Sequence, residues 1–506
     1  MKFKRLKPAP LFIAVSVLLL VCGLYLLRLD FFERLERMTY DFRVRFAAHQ
    51  PVLTATNLAF VAIEESSLKA VQGGQLGYRF GLLWPRQVYG RAVDELVAQN
   101  AGVIGFDVLF GELRPDHPPV QMADGRLEES DDFFAGVMGR AGNVILGVTP
   151  ELFPPRRFAT NALALGDIST EKDSDGVLRR VKAFRDTRQW HPLFRQLAAD
   201  PEIAADLEHA RFAPGKIILP QAGTTNLIEV VVDAENNFQV ADFVGEQLPP
   251  GLAPRAKAFA EQRIWHMGIV LAAQQLKLDL SRAQVDFPGG KITLRGENGL
   301  ERVIPVDAGG FFLVDWRLSP NDPRLLRMPV EALLWQNHRR LLGETNGLRD
   351  DFSGKLVVIG SAVQGNDLTD RGATPLEHDT LLVSKHWNVA NSVMTGQFIR
   401  QATPHETLAI ILVLGLLTAL LTWQLRAFAA ALATALAARC PQHDFSFIVR
   451  QNGMFSYSGL SAAQVQRLRD EADAFAETSG LEVAIGGPAG NLSDFTSETT
   501  SRIWPA

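Results

Sequence analysis

The stretch Gly102-Val103-Ile104-Gly105-Phe106-Asp107-Val108-Leu109-Phe110 decides how this chain is read. Residues 102–106 carry no polar side chain and no two-residue alternation, the pattern of a strand buried on both faces. Such a strand belongs to a parallel sheet covered by helices, and the flanking sequence supplies its neighbours. Residues 58–63 are a second run of this kind. Between the two, residues 85–99 open on Pro85 and place Val88, Ala92, Leu96 and Val97 on one helical face. A helix over 129–139 then leads to a third run at 143–148, and residues 355–360 predict a fourth strand of the same sheet. The expected class is α/β: a mixed, largely parallel sheet flanked by helices.

In open parallel sheets ligands sit beyond the carboxyl ends of the strands. Those positions carry Glu64, Glu65, Asp107 and Ser361, with Asp367 six residues further on. These five are the candidate ligand-binding residues, suited to a polar or cationic ligand. Acidic and hydroxyl side chains at strand ends also cap turns and neighbouring helices, and both readings stand at this level.

Two apolar runs set the topology. Residues 11–27 and residues 408–425 carry no charge, and each is about long enough to cross a ~30 Å hydrocarbon core. The first run ends in Leu26-Leu27-Arg28-Leu29-Asp30 without a small-residue cleavage site, which reads as an uncleaved anchor. Lys2, Lys4, Arg5 and Lys7 place residues 1–10 in the cytoplasm, and Arg426 places the far end of the second span there too. The expected order is therefore a cytoplasmic stretch 1–10, a span 11–27, an external domain 28–403 and a span 404–425. A short apolar segment 426–438 and a cytoplasmic tail 439–506 follow. Leu35, Met38, Phe42 and Phe46, just after the first span, recur at helical spacing and predict an amphipathic helix.

Composition narrows the function. The chain has 506 residues, 47% hydrophobic and 21% charged, too apolar for a disordered protein and too polar for a polytopic transporter. A net charge of -5 gives no basic field for nucleic acid. The two cysteines, Cys22 and Cys440, offer neither a disulfide framework nor a cysteine metal site. Asp173-Ser174-Asp175-Gly176 imitates the start of a calcium loop, but Lys182 stands where the closing glutamate is needed, so the run reads as a hairpin turn. The sequence holds no Gly-x-x-x-x-Gly-Lys-Ser/Thr loop, no His-Glu-x-x-His and no Gly-x-Ser-x-Gly. The expected sites are therefore catalytic none, metal none and cofactor none. Residues 201–262, rich in Ala, Pro and Gly, are assigned no elements and read as an insertion.

The order of several motifs resembles the second type of CHASE domain, an extracellular sensory module associated with bacterial cyclases and kinases. The likeness is carried by Tyr40-Asp41-Phe42-Arg43-Val44-Arg45-Phe46, Val61-Ala62-Ile63-Glu64-Glu65-Ser66-Ser67-Leu68 and Trp84-Pro85-Arg86. It continues in the 102–110 and 173–180 runs and closes with Gly354-Lys355-Leu356-Val357-Val358-Ile359-Gly360-Ser361-Ala362, Asp367 and Thr374-Pro375. The resemblance covers about residues 29–400. It implies a sensor outside the cytoplasmic (inner) membrane of a bacterium, normally followed by a cyclase or kinase that this sequence does not show.

The tail is similar to something else. Asp444-Phe445-Ser446-Phe447-Ile448-Val449-Arg450-Gln451-Asn452-Gly453-Met454-Phe455-Ser456-Tyr457-Ser458-Gly459-Leu460, with Gln464 to Arg469, resembles part of an aspartate or aromatic aminotransferase. The pyridoxal-phosphate lysine and its surroundings are missing, and without the cofactor site that chemistry is unavailable. The tail reads as irregular, from a fusion, a rearrangement or a disrupted frame. The leading expectation is a membrane-anchored sensor without an intact effector. Its partners would be the lipid bilayer, a small ligand or envelope component, an effector on a separate chain and further copies of itself. An aminotransferase remnant and a non-signalling envelope binding protein are the alternatives.

Overall fold

A computed structural model describes residues 8–27, 30–122, 124–245, 253–364 and 369–439. The chain divides into two compact units, one holding residues 1–29 and 402–506 and the other residues 30–401. The larger unit is built on six strands, β1 (Leu58–Ile63), β2 (Val103–Leu109), β3 (Val144–Val148), β4 (Ala164–Asp167), β5 (Leu326–Pro329) and β6 (Leu356–Ser361). Their order across the sheet is β5-β1-β6-β2-β3-β4, and every adjacent pair is parallel. The four runs expected to share a sheet do so.

Both faces of the sheet are covered, which is why β1 is buried at all six positions. One face carries α3 (Glu65–Gln72), α4 (Arg86–Ala98), α5 (Ser130–Ala141) and α7 (Val330–Leu341), and the other α6 (Met267–Leu276) and α8 (Ser384–Thr395). Side chains sort accordingly. Ala59, Val61, Ile104, Phe106 and Leu146 enter the first core, and Leu58, Phe60, Ala62, Val103 and Ile145 the second. Phe106, Phe110, Phe134 and Phe158 form a chain of edge-on and tilted ring contacts in the first core.

The amphipathic helix exists as α2 (Asp30–Ala48), but the face that packs is not the apolar stripe read from the sequence. Val44 is buried and Tyr40 is packed against the second core, while Met38, Phe42 and Phe46 are each more than 60% exposed. Polar contacts do the holding. Arg179, 4% exposed, binds Asp41 at 2.7 Å, Asp175 at 2.9 Å and Asp173 at 3.1 Å. This also explains the 173–176 acidic run. Gly176 donates its N–H to the Asp173 carbonyl in a tight turn, and the carboxylates receive an arginine rather than a cation. It is a turn but not a hairpin, because the strand that follows, Arg180–Lys182, pairs with Phe311–Leu313.

Residues 201–262, left without elements in the sequence reading, carry short antiparallel strands at Arg211–Ala213, Lys216–Pro220 and Leu227–Val231. They close over a third core of Phe194, Ile217, Leu219, Phe238 and Phe259.

The smaller unit contains α1 (Pro8–Leu26) and α9 (Pro404–Arg439), which pack on each other. Helix α9 runs on through residues 426–438. Among the described residues one helix is apolar and long enough to cross a membrane, Pro404–Leu421 with mean hydropathy 1.8. A second candidate counts only if Val15–Leu26 and Phe31–Ala48 are taken together as one broken span. The tail from residue 440, with its aminotransferase-like stretch, lies outside the described residues.

Candidate functional site

The parallel register carries the chain ends of three neighbouring strands to one edge. Ile63 of β1 lies opposite Ser361 of β6, and Asp107 of β2 opposite Gly360. Glu64, Glu65, Asp107 and Ser361 therefore share the carboxyl edge, as the sequence suggested. Asp367 lies outside the described residues.

Each of the four is already engaged. Glu64 caps α3 and pairs with Arg327 at 2.6 Å. Glu65 accepts a hydrogen bond from the Gln364 N–H, which holds its carboxyl below the usual range. Ser361 shares a 2.6 Å hydrogen bond with Thr369. Asp107 faces His386, its Oδ1 3.5 Å from Nε2. Burial raises the Asp107 carboxyl, but His386 and Lys385 outweigh it and hold the group below its ordinary value. Glu64 fills the capping role that strand-end residues commonly take, and Glu65 and Ser361 bind residues that follow β6. Asp107 is different, because it opens onto an enclosed polar cluster.

That cluster was not singled out from the sequence. His266 caps the start of α6, its Nδ1 accepting from the Gly268 N–H at 3.1 Å, so the ring proton sits on Nε2. His386 lies in the first turn of α8. The two imidazoles are 1% and 0% exposed, with ring centroids 5.2 Å apart. Burial holds His266 well below the ordinary histidine range, and His386, Lys385 and Arg185 push the same way. Burial also lowers His386, with Asp107 opposing. His266 Nε2 and both ring nitrogens of His386 are enclosed without a close hydrogen-bond partner.

Around them Lys385, also 1% exposed, donates to Thr170 Oγ1 at 2.7 Å, and Thr170 donates to Asp370 at 2.8 Å. Asp167, at the end of β4, pairs with Arg185 at 2.7 Å. The signal that could have found the cluster is α8 itself. Its run Ser384-Lys385-His386-Trp387-Asn388 is buried throughout, so polar side chains point into the core without an amphipathic pattern.

No group of His, Cys, Asp and Glu among the described residues could hold a metal ion. A crevice beside the cluster, lined by Val148, Thr149, Phe153, Asp167, Arg185 and Ile264, has about 140 Å³ of empty space with open solvent included. That is less than the roughly 300 Å³ at the lower end of small-molecule sites.

Residues 16–422 match the family model of the CHASE2 domain. The chain belongs to the CHASE2 domain family. CHASE2 domains are extracellular sensor modules of signalling proteins, and the match points to the large α/β unit as such a module. No solved structure matches. The curated proteins that match do so over a short stretch. Aspartate aminotransferase of Escherichia coli is 51% identical over 49 residues, 10% of this chain and 12% of that enzyme. Aspartate aminotransferase of Pseudomonas aeruginosa is 47% identical over 61 residues, 12% and 15%. Aromatic-amino-acid aminotransferase of Escherichia coli is 42% identical over 57 residues, 11% and 14%. The chain thus spans about one-eighth of the length of the enzymes it resembles there.

Proposed function

We propose that this CHASE2 chain is a membrane-anchored receptor module of a bacterium, with its α/β unit outside the cytoplasmic membrane and α1 and α9 as its anchors. Its output is assigned to an effector outside residues 1–506, and no catalytic step is assigned to these residues. The exposed stripe of Leu35, Met38, Phe42 and Phe46 on α2 supports assembly of more than one copy. The edge residues Glu64, Glu65, Asp107 and Ser361, together with Asp367 from the sequence, remain its candidate contact with a small polar ligand or an envelope component.

The observation that carries the reading is the position of Arg317. Its Nη1 donates to the Ala47 carbonyl of α2 at 2.6 Å, and its backbone N–H donates to Asn388 Oδ1 of α8 at 2.9 Å. Asn391 of α8 accepts in turn from the Ala55 N–H at 2.8 Å. The first and last helices of the sensor unit, which lead along the chain into α1 and α9, are thus held by one polar network. A rearrangement felt by α8 is felt by α2. Contiguous polar contacts of this kind supply a path along which a transmitted signal can travel.

The test replaces residues 440–506 with an adenylate cyclase catalytic domain and compares Arg317 with Arg317→Ala. The expected result is a change of about 5-fold or more in cyclase output per membrane-inserted molecule. Equal output from both would favour an envelope protein that binds a partner without signalling.

A further inference from the structure

Beyond the His266 cap and the 3.5 Å approach of Asp107 to His386, the enclosed histidine pair has no structural duty that explains its polarity. His266 uses only Nδ1, in its cap, and an asparagine or serine would cap as well. His386 fills a fully buried position on α8, where a neutral apolar side chain would cost nothing in desolvation. We propose that the His266–His386 pair is the proton-binding site of this sensor, and that acidification outside the membrane is a signal it reads. The inference rests on the sensor reading for its meaning, but the binding itself is a property of the isolated chain.

The geometry assigns the proton. Asp107 Oδ1 stands nearest His386 Nε2, so in the neutral pair Nε2 carries the hydrogen and Nδ1 the lone pair. An incoming proton forms an N–H bond at Nδ1, and the imidazolium so formed faces Asp107 on β2. It also faces Asp167 on β4, Lys385 beside it on α8 and His266 ahead of α6. His266 is the poorer acceptor, because it faces Lys385 and Arg185 as well as His386. Asp167 is already bound to Arg185, so Asp107 is the one carboxylate left to meet the new cation. A second buried cation then sits beside the Lys385 ammonium.

The helices cannot relax around it in place. A Cβ at Gly268 would press on the His386 carbonyl oxygen and on Val389, so the α6 and α8 backbones touch at the histidine pair. Hydrating the imidazolium requires the two helices to part. The sign follows from burial. The closed form resists a proton that an opened form accepts at the ordinary histidine value near 6.5. The closed form therefore holds above that pH and loses ground as pH falls through it.

The test is amide hydrogen exchange on the full chain in lipid nanodiscs at pH 7.5 and 5.5, corrected for intrinsic rates. Protection of Met267–Leu276 and Ser384–Thr395 should fall about 10-fold relative to Arg86–Ala98, and His386→Gln should reduce that ratio to within about 2-fold. An unchanged ratio in the native chain, or an undiminished response in His386→Gln, would overturn the proposal. Should the variant fail to fold, histidine NMR titration of the native chain decides. A histidine resonance titrating in step with the loss of protection sustains the proposal, and its absence ends it. Neither failure touches the cyclase comparison, and a silent cyclase fusion leaves the proton measurement intact.

Discussion

Arg179 shows how much one side chain can organise here. Its guanidinium answers three carboxylates from two separated segments, and burial alone would have lowered its pKa. The hydrogen bonds it donates to Asp41, Asp175 and Asp173 reverse that and raise it. Removing one partner of a buried ionic group strands the others. Arg179→Met should therefore lower unfolding free energy by about 3 kcal/mol, with faster amide exchange along α2 as the first sign. Chemical denaturation of the full chain checks the magnitude, and a loss under about 0.5 kcal/mol would show that Asp41 is held by other means. The sequence displayed this cluster as an acidic turn but not its purpose, because Asp41 and Arg179 meet only through the fold. The same holds for His266 and His386. His266 has no neighbour in the chain that marks it and His386 has only the polar run of α8, so their significance arises where α6 crosses α8. Glu64, Glu65, Asp107 and Ser361 were legible because a strand end is a local event.

At the scale of elements, legibility followed burial on both faces. β1, β2, β3 and β6 are continuous apolar runs because helices cover each side, and such runs stand out in any reading. β4 and β5 do not. They are four residues each, lie at the sheet edges and are only half-buried, with Pro329 closing β5. The three-residue and five-residue strands around Lys216–Pro220 escaped for the same reason. The contact between α6 and α8 is the tightest consequence of the packing. Gly268→Ala places a methyl group against the His386 carbonyl and the Val389 side chain. It should cost about 2 kcal/mol by overpacking. A thermal melt would check this, and an unchanged transition would mean that the two helices have slack the structure does not show.

At the scale of the whole molecule, a sensor unit of residues 30–401 is continuous in sequence with an apolar pair, α1 and α9. The three cores of the described residues run from Val44 to Val393, so the sensor unit has its own interior. The central claim is that this unit faces outward while the chain stays anchored. A single-cysteine version measures it directly: Cys22→Ser and Cys440→Ser remove the native thiols, and Leu127→Cys adds one at a side chain 70% exposed. Intact cells with a permeabilised outer envelope are treated with a membrane-impermeant maleimide. The account predicts labelling of position 127 before the inner membrane is broken, with the protein recovered in the membrane fraction. Labelling that appears only after lysis of the inner membrane would contradict it.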